Sequence, residues 1–549
     1  MSSNDRRWWQ ETTIYQGYPR SFADSNGDGL GDLQGVIDHL DHVVDLGVGT
    51  LWLSPFFASP QEDYGYDISD YCDVAPEYGT LETAQHLIDE AHARGLKVML
   101  DLVMNHTSDQ HPWFQQSRAS RSNPRADWYV WRDGRGRHGR RPPNNWRSAM
   151  EVKTAWQWCP DRQQWYLATF LPFQPDLNYR NPEVKEAMFD AVRFWLRRGV
   201  DGFRLDIFGS VMKDAEFRDN PFKPGVDGIQ TRLWQRPFTE NTDDTIAFAK
   251  ELRAVVDEFR EEGGDDDGLQ LVFLFDFLAY TYTAGFFRSR IEAYERDFAP
   301  PLQPTYVLEN HDRSRLIDRV GGHLGKARTL AVLLCTLRGV PTIYQGQEIG
   351  MANTPMRLRE ARDPIARSFF WWVPEPLVQR LPERLNRDEV RTPMQWTGAA
   401  NGGFTTPQAV PWLPVHPNHT ERNVAAQEGV DGSMLELYRT LLHLRAARPS
   451  LHRGSLRLRP ADPSAPDVLV YERVDDLADG SGVEGETAET GETTLVAVNF
   501  GAEPATVAVP SGAAPLATTD PAVAVTDDRV RLPAHTAAVL SVPAAGPGA

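Results

Sequence analysis

From residue 182 to 198 apolar side chains return every three or four positions: Val184, Ala187, Met188, Ala191, Val192 and Trp195. That period predicts a helix buried along one face, and Gly199 is placed to stop it. The run that follows, Gly202-Phe203-Arg204-Leu205-Asp206, reads as a strand that buries Phe203 and Leu205. Residues two apart share a strand face, so Arg204 and Asp206 lie together, with Asp206 at the C-terminal end. The same change of period recurs along the chain. It predicts further strands at Thr13–Tyr18, Thr50–Leu53, Leu96–Asp101, Leu271–Phe277, Thr305–Leu308 and Val340–Tyr344. Helices are predicted at Val36–Leu46, Leu81–Arg94, Thr242–Arg260, Lys326–Leu337 and Ser433–Arg445. Strands alternating with helices imply an α/β fold of the (β/α)8-barrel type, whose chemistry sits at the C-terminal ends of the strands.

The alternation breaks twice. Residues 107–180, rich in Trp, Arg, Pro and Asn, lack long periodic segments and read as a domain inserted after the third strand. From residue 451 the composition shifts to Val, Thr, Ala, Pro and Gly, with short apolar strands such as Thr494–Asn499 and Ala537–Val542, which predicts a C-terminal β-sandwich. The expected organisation is barrel 1–106, insertion 107–180, barrel 181–450 and sandwich 451–549. Asp475 to Glu492, rich in Gly, Glu, Asp and Thr, is expected to be a mobile loop.

Composition narrows the function classes. The 549 residues exceed one ordinary domain, and 41% hydrophobic content supplies a large core. A formal net charge of −19 argues against nucleic acid as a partner. Met1 to Trp9 has no apolar signal region, and no run of about eighteen apolar residues implies a membrane span. Cys72, Cys159 and Cys335 are far apart and odd in number, so no disulfide framework is expected and a cytoplasmic location is. A monomer or small homo-oligomer is expected.

Several polar groups sit at predicted strand ends. Arg204 beside Asp206 is either a structural ion pair or a means of keeping a working carboxylate ionised and oriented. Asp24-Ser25-Asn26-Gly27-Asp28-Gly29-Leu30-Gly31-Asp32 places oxygen ligands at positions 1, 3, 5 and 9 and Gly at position 6 of a calcium-type loop. Leu30 would contribute its carbonyl. Position 12 is Gly35 rather than a bidentate Glu, so other ligands or waters would complete the shell; a plain Gly/Asp turn is the alternative. The loop Ser59 to Asp70 carries Asp63, Tyr64, Tyr66 and Asp67, which suits a sugar: rings stack on its apolar faces and carboxylates accept its hydroxyl protons.

Together, Asp101-Leu-Val-Met-Asn105-His106, Gln174-Pro-Asp-Leu-Asn178, Gly202-Phe-Arg-Leu-Asp206 and Glu309-Asn-His311-Asp312 resemble the motifs of glycoside hydrolase family 13, the α-amylase family. The likeness is to its α-glucosidase and oligo-1,6-glucosidase branch, from about Trp8 to Arg448. The resemblance implies a retaining exo-acting α-glucosidase acting on small α-glucosides, with Asp206 as nucleophile, Arg204 orienting it and Asp312 stabilising the transition state. It implies that His106 and His311 bind the glucosyl unit, that Tyr66 stacks on it, that Gln174 lines the pocket, and that Asp63 pairs with Arg422 around the far end of the sugar. Asp24, Asn26, Asp28, Leu30 and Asp32 match the family's metal loop, implying one structural Ca2+ and no organic cofactor. Ile207, a β-branched residue after the nucleophile, points within this branch towards α-1,6 linkages.

One element departs from the pattern. The family carries its acid, a Glu, at the end of the fifth strand; here the helix ending near Arg260 runs through an acidic turn, 261–268, straight into Leu271–Phe277. Only seven strands are counted, and no acid is found. Asp276 could replace it if it ended a strand, or could be a structural residue. A transglucosylase such as a trehalose or isomaltulose former, a catalytically impaired sugar-binding barrel and a defective gene copy are the alternatives.

Overall fold

The computed structural model describes residues 7–150, 153–227, 230–259, 269–370, 374, 386–475 and 491–543. The acidic turn 261–268 and most of the loop expected to be mobile, residues 476–490, lie outside them. Seven barrel strands are present: β1 (Ile14–Gly17), β2 (Thr50–Leu53), β3 (Lys97–Val103), β4 (Gly202–Asp206), β5 (Leu271–Leu274), β6 (Gln303–Val307) and β7 (Val340–Tyr344). They form one parallel sheet in the order β5-β6-β7-β1-β2-β3-β4. β4 and β5 are the two ends of this order, and among the described residues no strand pairs with their outer edges, where a closed barrel would hold one more.

The helices packed around this sheet include α1 (Leu81–Ala93), α2 (Pro182–Leu196), α3 (Asp243–Asp257), α4 (Ala284–Asp297), α5 (Leu324–Thr336) and α6 (Met434–Ala447). The α2–β4 unit shows how local chemistry sets the frame. The Asn181 side chain accepts the Glu183 amide at 2.9 Å, and Pro182 opens the first turn. Val184, Met188, Val192 and Trp195 bury the inner face, and Gly199, at φ +93°, turns the chain towards β4. Register then aligns Asp101 with Arg204 and Val103 with Asp206. Inside the barrel Ile14, Trp52, Met99 and Val340 pack with Leu271 and Phe273.

Two predicted elements are shorter than their apolar runs. Val36–Leu46 is two helices, Leu33–Asp38 and Leu40–Asp45, because the backbone leaves helical geometry at His39. The run Leu271–Phe277 stops as a strand at Leu274, and Phe275–Leu278 is a 3-10 turn. Among the described residues β5 is paired on one edge, from Leu271 opposite Gln303 to Leu274 opposite Tyr306, with no second ladder to extend it.

The insertion carries a three-stranded antiparallel sheet of Trp131–Arg132, Gln164–Leu167 and Trp156–Cys159. The C-terminal part is two antiparallel sheets of five and three strands, closed over a core that includes Val470, Leu495, Val507, Val530, Leu532 and Leu540. Cys72, Cys159 and Cys335 are free. Among the described residues no helix is long and apolar enough to cross a membrane.

Candidate active site

The C-terminal ends of the strands converge on a buried polar floor. Arg204 Nη1 donates to Asp206 Oδ1 at 2.6 Å and to Asp101 Oδ1 at 2.9 Å, so one guanidinium bridges the carboxylates of two neighbouring strands. Burial pushes the Asp101 carboxyl up to about 7, Arg204 pulls it down, and nearby Asp206 pushes it up again. Tyr66 donates its hydroxyl proton to Asp101 Oδ2 at 3.2 Å. With the Gln16 amide donating to His311 Nδ1 at 2.7 Å, Nε2 carries the imidazole proton and gives it to the Tyr66 oxygen at 2.7 Å. Tyr66 and His311 stack with centroids 5.5 Å apart and planes 9° from parallel. Burial pushes the His311 pKa down to about 3 against the pull of Asp312, with Arg391, Arg204 and Arg387 adding to the fall.

Asp312 is the open carboxylate of this floor, its side chain 37% exposed. Burial raises its pKa, but His311, Arg391, Arg387 and Arg204 outweigh that and hold it below the usual carboxylate range. Arg391 Nη2 donates to its Oδ1 at 2.9 Å. Such an ionised oxygen, beside Asp206 and backed by Arg204, suits a reaction in which positive charge builds on the ligand. His106 is nearby but spoken for: Nε2 lies 3.1 Å from the Tyr66 carbonyl and Nδ1 3.2 Å from the Asn105 amide. Burial lowers its pKa, against Asp176 and Asp206. Ile207 adopts φ +42°, rare for a β-branched residue, and carries the chain from β4 into the turn Phe208–Ser210.

The far wall corrects one expectation. Asp63 does not pair with Arg422. Its Oδ1 accepts from Arg387 Nη2 at 2.7 Å and its Oδ2 from Gln174 Nε2 at 3.1 Å. Arg387 also binds Asp363 at 2.8 Å and reaches Asp312 at 3.4 Å, whereas Arg422 donates to the Gly350 carbonyl at 2.7 Å. Arg387, Arg391 and Asp101 were therefore the members missed by sequence reasoning. Asp101 opens a quoted motif; Arg391 opens the run Arg391-Thr392-Pro393 and Arg387 lies four residues before it, in a stretch without periodicity.

Among the described residues no strand between β4 and β5 brings a second carboxyl to Asp206. Asp276, expected at a strand end, instead lies in the 3-10 turn, where it accepts the Tyr294 hydroxyl at 3.0 Å and pairs with Arg290 at 3.4 Å, both on the outer helix α4. Glu309 is locked by Arg315 at 2.6 Å and the Leu316 amide at 2.7 Å.

In the oxygen-rich loop Asp24 accepts the amides of Gly27 and Gly29, each at 2.7 Å, and the Thr405 hydroxyl. Asn26 and Asp28 accept the amides of Asp28 and Leu30 at 2.9 and 2.8 Å, and Asp32 caps Leu33–Asp38 through the Gly35 amide at 2.6 Å. Among the described residues no three His, Cys, Asp or Glu side chains gather around a metal position. The donors here, three carboxylates, an amide and the Leu30 carbonyl, are all oxygen, which is the chemistry of a hard cation.

Comparison with known proteins gives the family. A family model described as "Alpha amylase, catalytic domain" matches residues 16–272 and 278–454. The chain belongs to the α-amylase family. The break in the match, 273–277, falls where β5 ends beside the unpaired edge of the sheet. A domain of unknown function, DUF3459, matches residues 473–539. Among relatives, the "Probable alpha-glucosidase" of Rhizobium meliloti (strain 1021) is 43% identical over 486 residues, covering 82% of this chain and 85% of its own. An oligo-1,6-glucosidase of Heyndrickxia coagulans is 35% identical over 504 residues, covering 85% and 90%. Among solved structures, the alpha-glucosyl transfer enzyme XgtA superposes with TM-score 0.86 at 37% identity, covering 98% of this chain and all of that one. A trehalulose synthase, MutB, gives 0.85 at 34% identity, covering 98% and 100%.

Proposed function

We propose that this member of the α-amylase family is an exo-acting α-glucosidase-type hydrolase that receives the terminal glucosyl unit of a short α-glucoside on Asp206. The observation that carries this is the set of bonded polar groups at the strand ends: Arg204 holds Asp206 and Asp101, and Arg387 joins Asp63, itself held by Gln174, to Asp312. An Asp206 oxygen bonds to the anomeric carbon as the bond to the leaving group breaks, and the leaving group takes the electron pair. Asp312 stabilises the positive charge, and water then displaces Asp206 with retention. Ile207 favours α-1,6 linkages.

The open edge between β4 and β5 supports a second reading, a glucosyl-binding barrel that hydrolyses poorly. An unprotonated alkoxide leaves badly, and loss of an acid slows such reactions by about 10²–10⁴-fold. Isomaltose, whose leaving group needs a proton, is therefore compared with α-glucosyl fluoride, whose leaving group does not, with Asp206→Asn as control. Fluoride turnover that outruns isomaltose turnover by about two orders of magnitude or more and disappears in Asp206→Asn is expected. Equal turnover would restore a working acid, and no turnover of either would leave only the binding reading.

We also propose that Asp24, Asn26, Asp28, Asp32 and the Leu30 carbonyl hold one Ca2+. The ion would join this loop more firmly to Thr405 and to Trp412, whose amide donates to the Gly29 carbonyl at 2.9 Å. Calcium added to chelator-treated protein should raise its melting temperature; an unchanged melt with calcium would remove the site.

A further inference from the structure

The unpaired edges of β4 and β5 are the two lips of a cavity of about 1130 Å3 that runs down the barrel wall. Its lining is largely apolar: Phe203 and Leu205 from β4, Phe273 from β5, Phe275 beyond it, and Ala249 and Val256 from α3. Ile246 on α3, Val272 on β5 and Phe275 belong to the same lining and are 59%, 50% and 42% exposed. The fissure is thus open to the outside. At its upper end Asp206 and Ile207 are part of the same lining. A group bonded to the anomeric carbon of a sugar held at Asp206 therefore has an apolar space beside it as well as the open mouth of the barrel.

We infer that this fissure is a lateral subsite for an apolar aglycone, seating an alkyl or aryl group linked to the glucosyl unit that Asp206 receives. The inference rests on the glucosyl-binding reading of the Asp206 floor. Two features select this occupant. A water-filled fissure lined by aromatic and branched side chains gains from any apolar group that displaces the water. The carboxylate in its wall limits productive occupants to those tethered to a sugar at that carboxylate. The same occupants include aryloxides, which leave without a proton and so need no acid.

The test is calorimetric binding of n-alkyl α-glucosides, from methyl to octyl, to the full chain and to two variants that touch no part of the polar floor. Ala249→Phe fills the fissure from α3, and Ile246→Glu places a charge at its outer lip. Methyl α-glucoside should bind all three proteins equally. In the unmodified chain affinity should climb with chain length, by up to about fourfold for each methylene buried, and both variants should flatten that climb. If methyl α-glucoside binds but affinity is indifferent to chain length, or climbs equally in both variants, the lateral subsite is overturned while the glucosyl site stands. If methyl α-glucoside does not bind the unmodified chain, both fall.

Discussion

Arg387 is the cation on which three carboxylates of the site depend. Its guanidinium touches Asp63, Asp363 and Asp312, the first two buried, so three carboxylates share one fork. The cluster is electrically sound only while that cation is present: with Asp363 and Asp63 around it, burial notwithstanding, the Arg387 pKa is held well above its ordinary value. Removing one partner of a buried ion pair costs about 3–5 kcal/mol because the remaining charge is stranded. Arg387→Ala should therefore weaken methyl α-glucoside binding by tenfold or more. Arg387→Lys, which keeps the charge but loses the fork, should fall between. Arg422→Ala removes one bond to the Gly350 carbonyl, outside this cluster, and should leave the affinity within about threefold, in keeping with an ordinary hydrogen bond. Binding of the three variants by calorimetry decides the matter: equal damage from Arg422→Ala, or a silent Arg387→Ala, would return the pairing to the one expected from sequence.

At the scale of elements, what the sequence made legible were the periodic units. Val184 to Trp195 announce α2, the run Gly202–Asp206 announces β4, and the direct passage from helix to apolar strand after residue 260 exposes a seven-strand count. These signals are local, so no tertiary information is needed to read them. The pairing of Asp63 with Arg387 is not local. It joins residues 324 positions apart across two loops with no period, and nothing in the chain between distinguishes Arg387 from Arg422 as partner. Asp276 was misplaced for another reason. An apolar run does not state where its ladder ends, and β5 ends at Leu274, paired among the described residues on one edge. The bond between Asp101 and Arg204 follows from strand register, which puts them opposite each other and which sequence periodicity leaves free to slide. Among the described residues the open edge of the sheet thus goes with a short β5, which does not present Asp276 at a strand end.

At the scale of the whole molecule, the sandwich supplies part of the barrel's cover. One continuous apolar core contains α4 and α5 residues such as Phe287, Ile291 and Leu333 together with Leu469, Tyr471, Val496, Val498, Phe500 and Val539 of the sandwich. Phe287 and Phe500 stack with centroids 5.2 Å apart, and the Tyr471 hydroxyl meets that of Thr336 at 2.6 Å. Arg473 donates to the carbonyls of Thr336 and Gly454 at 2.7 and 2.8 Å from a fully buried position. Burial, with Arg445 nearby, pushes its pKa down to about 9. Burying large apolar side chains is worth about 1.5–3 kcal/mol each, so six of them rival the roughly 5–15 kcal/mol that stabilises an ordinary domain. A barrel already open between β4 and β5 has less to spare than a closed one. The full chain should accordingly unfold in a single calorimetric transition, and a chain ending at residue 450 should show no cooperative melt. Two resolved transitions, or a truncated chain that melts cooperatively near the full-length temperature, would mean that the barrel stands without the sandwich and that the shared core is a contact between independent domains.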